Sequence, residues 1–339
     1  MRFHLEVLVR RGEITESRHR VHCAVTDTEG RVSDGTGTPE VLTTLRSAAK
    51  PFQLLPLVER GHAAARGHTD EQLAVMCASH SGSRYHLDLV QGLLDGLGLT
   101  TSDLACGYHD PSDPISLAEV WAYPKRRSGL YNNCSGKHAG MLALALAEGW
   151  PTAGYEKSEH PLQNLMRETV AECCGVTPES MTVGIDGCSV CVFGLPLSAM
   201  ARGYARLAQA TAKGGGDARQ QAMQRIGRAM AAYPVAVEGE SSFSTALMRT
   251  SGGRLLAKGG AEGLQLVGFT DRATGLALKC EDGAMRAVAP ATMAVLELLG
   301  VLTEEEKHSL AAYRSPIVTN AAGLEVGLLE AELRVGAHA

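Results

Sequence analysis

The chain lacks any long hydrophobic run: no stretch of eighteen residues is apolar, so no segment is expected to cross a membrane. It also lacks an excess of positive charge. With a formal net charge of -5 and 20% charged residues it has no basic field to draw in nucleic acid, and so small an acidic excess serves solubility. The opening M-R-F-H-L-E-V-L-V-R-R-G-E breaks its apolar residues with charge and shows neither the apolar stretch nor the cleavage site of a signal peptide, so a cytoplasmic location is expected. Cysteine points the same way: the nine residues are odd in number, scattered, and set in a 339-residue chain too large to need disulfide staples. Only one C-x-x-C stands out, Cys188 to Cys191, and without a second a complete zinc finger is not expected. There is no internal repeat, and the low-complexity patch is the short K-G-G-G-D at 213–217.

What is present is ordinary globular material, 45% hydrophobic, in a length that buries a large core. Val- and Thr-rich text from Glu6 to Gly35 predicts two antiparallel strands turning at Thr28, Glu29 and Gly30. Helices are predicted from Ser47 to about Arg60, from Asp70 to about Ser79 behind a Thr69 or Asp70 cap, and from Arg84 to about Leu97. The stretch Y-N-N-C-S-G-K-H-A-G-M-L-A-L-A-L-A begins polar and turns continuously apolar, which predicts a loop feeding a buried helix. Further helices are predicted at 160–175 and 193–211, then strands at Arg254–Lys258, Leu264–Thr270 and Gly275–Cys280, then a helix from about Pro290 to Leu299. This order predicts an α+β fold: a central antiparallel sheet from the N-terminal hairpin and the C-terminal strands, first and last strands meeting, with helices around it. A single domain over 1–339 is expected, with an α/β lobe at about 1–60 and 235–339 and a mostly helical lobe at about 61–234.

Four short stretches carry chemistry. In L-R-S-A-A-K-P-F-Q, Ser47 and Lys50 stand three apart, the spacing that puts a hydroxyl beside an amine on one helical face, and Pro51 confines the helix start to this place. Ser47 is then either a nucleophile with Lys50 as base, or a helix cap beside a solvated lysine. C-A-S-H at 77–80 is a second polar island. In N-N-C-S-G-K-H at 132–138, Asn132, Asn133, Ser135 and Lys137 converge at the start of the buried helix, a longer polar run than a cap requires. Lys258 ends a strand before Gly259 and Gly260, whose missing side chains would let a ligand lie against the strand edge; the plain alternative is a surface lysine before a turn. A zinc site is left open only between distant residues such as Cys134 and Cys188.

Taken in order, S-A-A-K, C-A-S-H-S-G, Y-N-N-C-S-G-K-H-A-G-M, I-D-G-C and A-K-G-G-A-E-G resemble the thermolabile, or type II, asparaginase family of the Rhizobium etli type, over nearly the whole chain. The resemblance implies a fold similar to serine β-lactamases and bacterial glutaminases, a homodimer, and hydrolysis of L-asparagine to aspartate and ammonia. It makes Ser47 the nucleophile, Lys50 its base, and Ser79 with Lys258 a second serine/lysine pair. It offers Asn132, Asn133, His138, Asp186, Gly259 and Gly260 as the substrate-binding set. It also implies one zinc ion per chain, held by Cys134, Lys137 and Cys188 in a supporting role. A glutaminase or penicillin-recognising serine acyl hydrolase is the alternative within the same chemistry, and a non-catalytic zinc-binding protein the alternative outside it.

Overall fold

The computed structural model describes residues 1–336 and divides into two compact units. Met1–Thr43, Leu195–Gln209 and the chain from Ala246 onward form the first; Thr44–Gly194 and Ala210–Thr245 form the second. The expected lobe limits are redrawn accordingly. Residues 44–60 go with the helical unit because the helix Lys50–Glu59 packs on the helices Ser135–Ala147, Pro161–Cys174 and Ala218–Ala232. Residues 235–245 join the same unit, and 195–209 join the sheet.

In the first unit an antiparallel sheet runs in the order Ile317–Thr319, Glu325–Val335, Phe3–Arg11, Ile14–Asp27, Thr274–Cys280, Leu264–Phe269, Leu255–Gly260, with Val32–Gly35 also paired to Ile14–Asp27. The N-terminal hairpin meets the C-terminal meander as expected, from Val21↔Cys280 to Asp27↔Thr274, and a strand not predicted, Glu325–Val335, comes last and pairs with the first in register from Phe3↔Val335 to Arg10↔Leu328. That last strand, however, follows the helix Val288–Leu298 instead of ending the meander. Its text, E-V-G-L-L-E-A-E-L-R-V, is rich in helix formers, and pairing with Phe3–Arg11 overrides that local preference. A second correction falls at 193–211: Cys191–Pro196 is a strand and the helix runs Leu197–Lys213. This helix lies against the sheet at Gly275, where a Cβ would sit 1.9 Å from the Ala201 carbonyl oxygen.

In the second unit the helix Ser135–Ala147 is the centre, buried from Ser135 through Ala145. The helices Lys50–Glu59, Asp70–Met76, Arg84–Leu97 and Pro161–Cys174 pack on it. Burial of its Met141, Leu142 and Leu144 contributes on the order of 1.5–3 kcal/mol apiece. Asp70–Met76 starts in a capping box between Thr69 and Gln72, so of the two cap candidates Thr69 is used. Among the described residues no helix is long and apolar enough to cross a membrane.

Gly136 lets the central helix approach Asp70–Met76 closely: a Cβ there would lie 2.1 Å from the Val75 carbonyl oxygen. Alanine normally favours a helix over glycine by about 1 kcal/mol. Here the clash reverses the sign, and Gly136→Ala is expected to destabilise by about 1–3 kcal/mol, read as a lower urea midpoint. An unchanged or higher midpoint would show that the two backbones are free to separate.

Candidate active site

The chain enters the second unit through a 3₁₀ turn, Arg46–Ala49, that runs straight into the helix Lys50–Glu59. Pro51 sits in the first helical turn, where its missing N–H removes nothing the helix needs. The helix cap is Ala49, without a side-chain hydrogen bond, so Ser47 does not serve as the cap. The Lys50 amide bonds the Ser47 carbonyl, and in a 3₁₀ turn residues three apart eclipse, which sends both side chains from one face. Lys50 is only 1% exposed, which removes the solvated-lysine alternative. Its Nζ donates to the Ala78 carbonyl and to Ser79 Oγ, the latter at 3.0 Å. The first serine/lysine motif and the C-A-S-H island are therefore joined through one buried amine.

The islands at 77–80 and 132–138 are held together by His80. Its backbone N–H donates to the Asn133 carbonyl at 3.1 Å, and its Nδ1 accepts from the Gly82 amide at 3.1 Å. Nε2 must then carry the proton, and it meets Ser135 Oγ at 2.8 Å, while Ser135 Oγ donates to the Leu130 carbonyl at 3.0 Å. The ring stacks on His86 at 5.1 Å between centroids. Burial holds His80 well below the usual histidine range, with the nearby His86, Lys50 and His109 pushing the same way. Asn132 uses its amide inside the loop: Nδ2 donates to the Cys106 and Gly107 carbonyls at 2.9 and 3.1 Å, and Oδ1 accepts from the Cys134 amide at 2.9 Å. The Asn133 amide nitrogen of the backbone donates to His109 Nε2 at 2.9 Å.

Cys134, Lys137 and Cys188 come together although Cys188 is some fifty positions away, on the turn of the hairpin formed by Thr182–Ile185 and Cys191–Pro196. Lys137 Nζ donates to Cys188 Sγ at 2.9 Å. A hydrogen bond from Cys188 holds the Cys134 thiol well below the ordinary thiol range despite burial, aided by the charges of Lys50 and Lys137. The same bond and burial push Cys188 up. Burial pulls the Lys137 amine down, but the sulfurs of Cys134 and Cys188 outweigh it and hold the amine above its ordinary value. Two sulfurs and an amine form a donor set that suits zinc. Among the described residues no group of three or more His, Cys, Asp or Glu is placed to hold a metal, so a site here requires the lysine as its third donor. Next to it, His138 Nδ1 lies 2.6 Å from the Tyr155 hydroxyl, which already accepts from the Ala105 amide. Ring and hydroxyl share one hydrogen bond, and the buried Nε2 of His138 has no hydrogen-bond partner among the described residues.

Lys258, Gly259 and Gly260 belong to the first unit, at the end of the edge strand Leu255–Gly260. Lys258 is fully buried and its Nζ donates to the Gly259 carbonyl at 3.0 Å, which overturns the surface-lysine alternative. Asp186, on the same turn as Cys188, forms an ion pair with Arg46, Nε to Oδ1 2.8 Å. Arg46, His80, His109 and Tyr155 were not singled out in the sequence. Arg46 and His80 adjoin Ser47 and Ser79, and that adjacency was the available signal; nothing local marks His109 or Tyr155.

Compared with known proteins, the chain matches the family model described as L-asparaginase II over residues 7–331. Among solved structures it is similar to Mglu. In its tris and glutamate form that protein gives a TM-score of 0.50 at 16% identity, covering 83% of this chain and 59% of Mglu. In its native form in the presence of 4.3 M NaCl it gives 0.48 at 16% identity, covering 84% and 62%. The chain thus spans about three-fifths of the length of these structures, and at this identity the likeness concerns the fold alone. No curated protein matches it.

His80 and His138 are both kept neutral by burial, with folded values below that of the unfolded chain. As pH falls below about 6.5 the unfolded chain gains protons that the folded chain refuses, so each such histidine removes up to about 1.4 kcal/mol of stability per pH unit. The urea midpoint is expected to be lower at pH 5.5 than at pH 7. A midpoint unchanged between them would mean that these rings are protonated in the folded protein.

Proposed function

The chain belongs to the L-asparaginase II family and is therefore an amidohydrolase, and from this premise we propose that it hydrolyses L-asparagine to L-aspartate and ammonia through an acyl-enzyme on Ser47. The observation that carries the reading is the buried Lys50 amine, set one 3₁₀ turn beyond Ser47 and 3.0 Å from Ser79 Oγ. In its neutral form Lys50 takes the Ser47 proton as Oγ bonds to the side-chain amide carbon and the carbonyl electron pair moves onto oxygen. The adduct collapses, the C–N bond breaks, and the proton passes from Lys50 by way of Ser79 to the leaving nitrogen, which departs as ammonia. Water then adds to the ester with Lys50 accepting its proton, the C–Oγ bond breaks, and Ser47 is re-protonated as aspartate leaves. Positioned proton transfer of this kind contributes about 10²–10⁴ in rate.

Cys134, Lys137 and Cys188 are proposed to hold one zinc ion per chain. Bound there, zinc would brace the thiol turn and add positive charge near Lys50. The family resemblance also supports a homodimer, and the nine scattered cysteines support a reducing, cytoplasmic setting.

The first test measures ammonia released from asparagine and from glutamine, with nitrocefin cleavage alongside. Asparagine is expected to be the best substrate, with Ser47→Ala inactive and Lys50→Met nearly so, both folded. Faster glutamine or nitrocefin turnover transfers the reading to a glutaminase or a penicillin-recognising hydrolase, and an active Ser47→Ala removes Ser47 as nucleophile.

Zinc is tested by titration at several pH values. Thiols and amine must lose protons to bind it, so affinity is expected to rise with pH, to fall sharply in Cys188→Ala, and to lose part of its pH dependence in Lys137→Ala. Zinc binding by Cys188→Ala equal to wild type would place the ion elsewhere.

A further inference from the structure

Four non-glycine residues of the described chain have a left-handed backbone: Arg46, Ser189, Glu262 and Ala273. Three of them lie in reversals between paired strands, where such a residue is what a tight turn needs. Arg46, at φ +45, does not. It is the first residue of the 3₁₀ turn, preceded by Leu45 in the right-handed helical region and immediately before Ser47.

Both sides of Arg46 are fixed. Before it, the Leu45 amide donates to the Phe193 carbonyl at 2.8 Å; after it, Lys50 is tied to Ala78 and Ser79. The guanidinium is fixed as well. Arg46 Nε donates to Asp186 Oδ1 at 2.8 Å, and this oxygen also accepts from the Gly187 amide at 2.8 Å. Asp186 is itself held by its amide on the Val190 carbonyl and its carbonyl on the Ser189 amide, both 2.9 Å. The pair is largely shielded, its side chains 25% and 12% exposed. An L-residue avoids this backbone region unless its surroundings impose it, and such imposed conformations gather where one atom's direction matters.

We propose that Arg46 is a positioning residue: its left-handed backbone, pinned by the ion pair with Asp186, sets the direction in which the Ser47 side chain leaves the chain. The proposal rests on the acyl-enzyme reading for its catalytic meaning, but the backbone device is separable from it. The substrate does not touch Arg46 in this role. The clamp acts through Ser47, so its loss lowers kcat and leaves KM nearly untouched.

The test compares Arg46→Ala with Arg46→Gly. Both delete the guanidinium, but only glycine adopts a positive φ without opposition. Arg46→Ala is expected to lose about 10- to 100-fold in kcat with KM little changed, as misplacement of a reacting group does. Arg46→Gly is expected to regain several-fold of that loss and to melt at a higher temperature than Arg46→Ala. A simple salt-bridge or substrate-binding role predicts equal damage in both variants. Equal kcat and equal melting temperature overturn the proposal, as does alanine outperforming glycine. If wild-type protein hydrolyses no amide, the acyl-enzyme reading falls by itself, and the rate of Ser47 labelling by a fluorophosphonate is measured in the same variants. Glycine faster than alanine then upholds the clamp, and equality removes it.

Discussion

A lysine amine taken almost wholly out of water must be given partners, because a buried polar group left unpaired costs several kcal/mol, and a buried charge more. Lys50 is such a group, and the surroundings of the site are built to meet it. The end of the helix Asp70–Met76 brings the Ala78 carbonyl and Ser79 Oγ to its Nζ. His80, next in the chain, then fastens this segment to the loop that opens the central helix. Two segments distant in sequence are thus brought to one amine, and the thiols of Cys134 and Cys188 follow because Cys134 begins that helix.

The fold was legible where local text and tertiary demand agree. Arg84–Leu97 was bounded correctly because it ends at a glycine in left-handed conformation, Gly98. The strands at 255–260, 264–269 and 274–280 were legible because short apolar runs are separated by polar turn segments, A-E-G at 261–263 and T-D-R-A at 270–273. What was missed is set by strand pairing. Glu325–Val335 is written in helix formers and becomes a strand only because Phe3–Arg11 offers it a ladder. Cys191–Pro196 is likewise a strand on the strength of its pairing with Thr182–Ile185.

In the site, residue types were easier to read than their partners. The sequence marks Ser47, Lys50, Ser79, Cys134, Lys137 and Cys188 as chemistry, but spacing alone cannot reveal that Lys50 reaches Ser79, or that Asp186 is engaged by Arg46. Burial separated the alternatives that the sequence left open: a lysine at 1% exposure is no solvated surface residue, and neither is Lys258. Asn132 shows the opposite limit. Its place in a motif is legible, but not that its amide is bonded to Cys106, Gly107 and Cys134 and so braces the loop.

The pairing of the first strand with the last sets the order of events during synthesis. Phe3–Arg11 finds one neighbour, Ile14–Asp27, almost at once, but its other neighbour is translated more than three hundred residues later. Until Glu325–Val335 has left the ribosome, one edge of the N-terminal hairpin stays open, with unpaired backbone groups available to any passing strand. The second unit needs only residues 44–245 and is complete long before that. Loss of the final dozen residues would therefore strike the sheet and expose an adhesive edge, while the segments bearing Ser47, Lys50 and the thiols would already have been made.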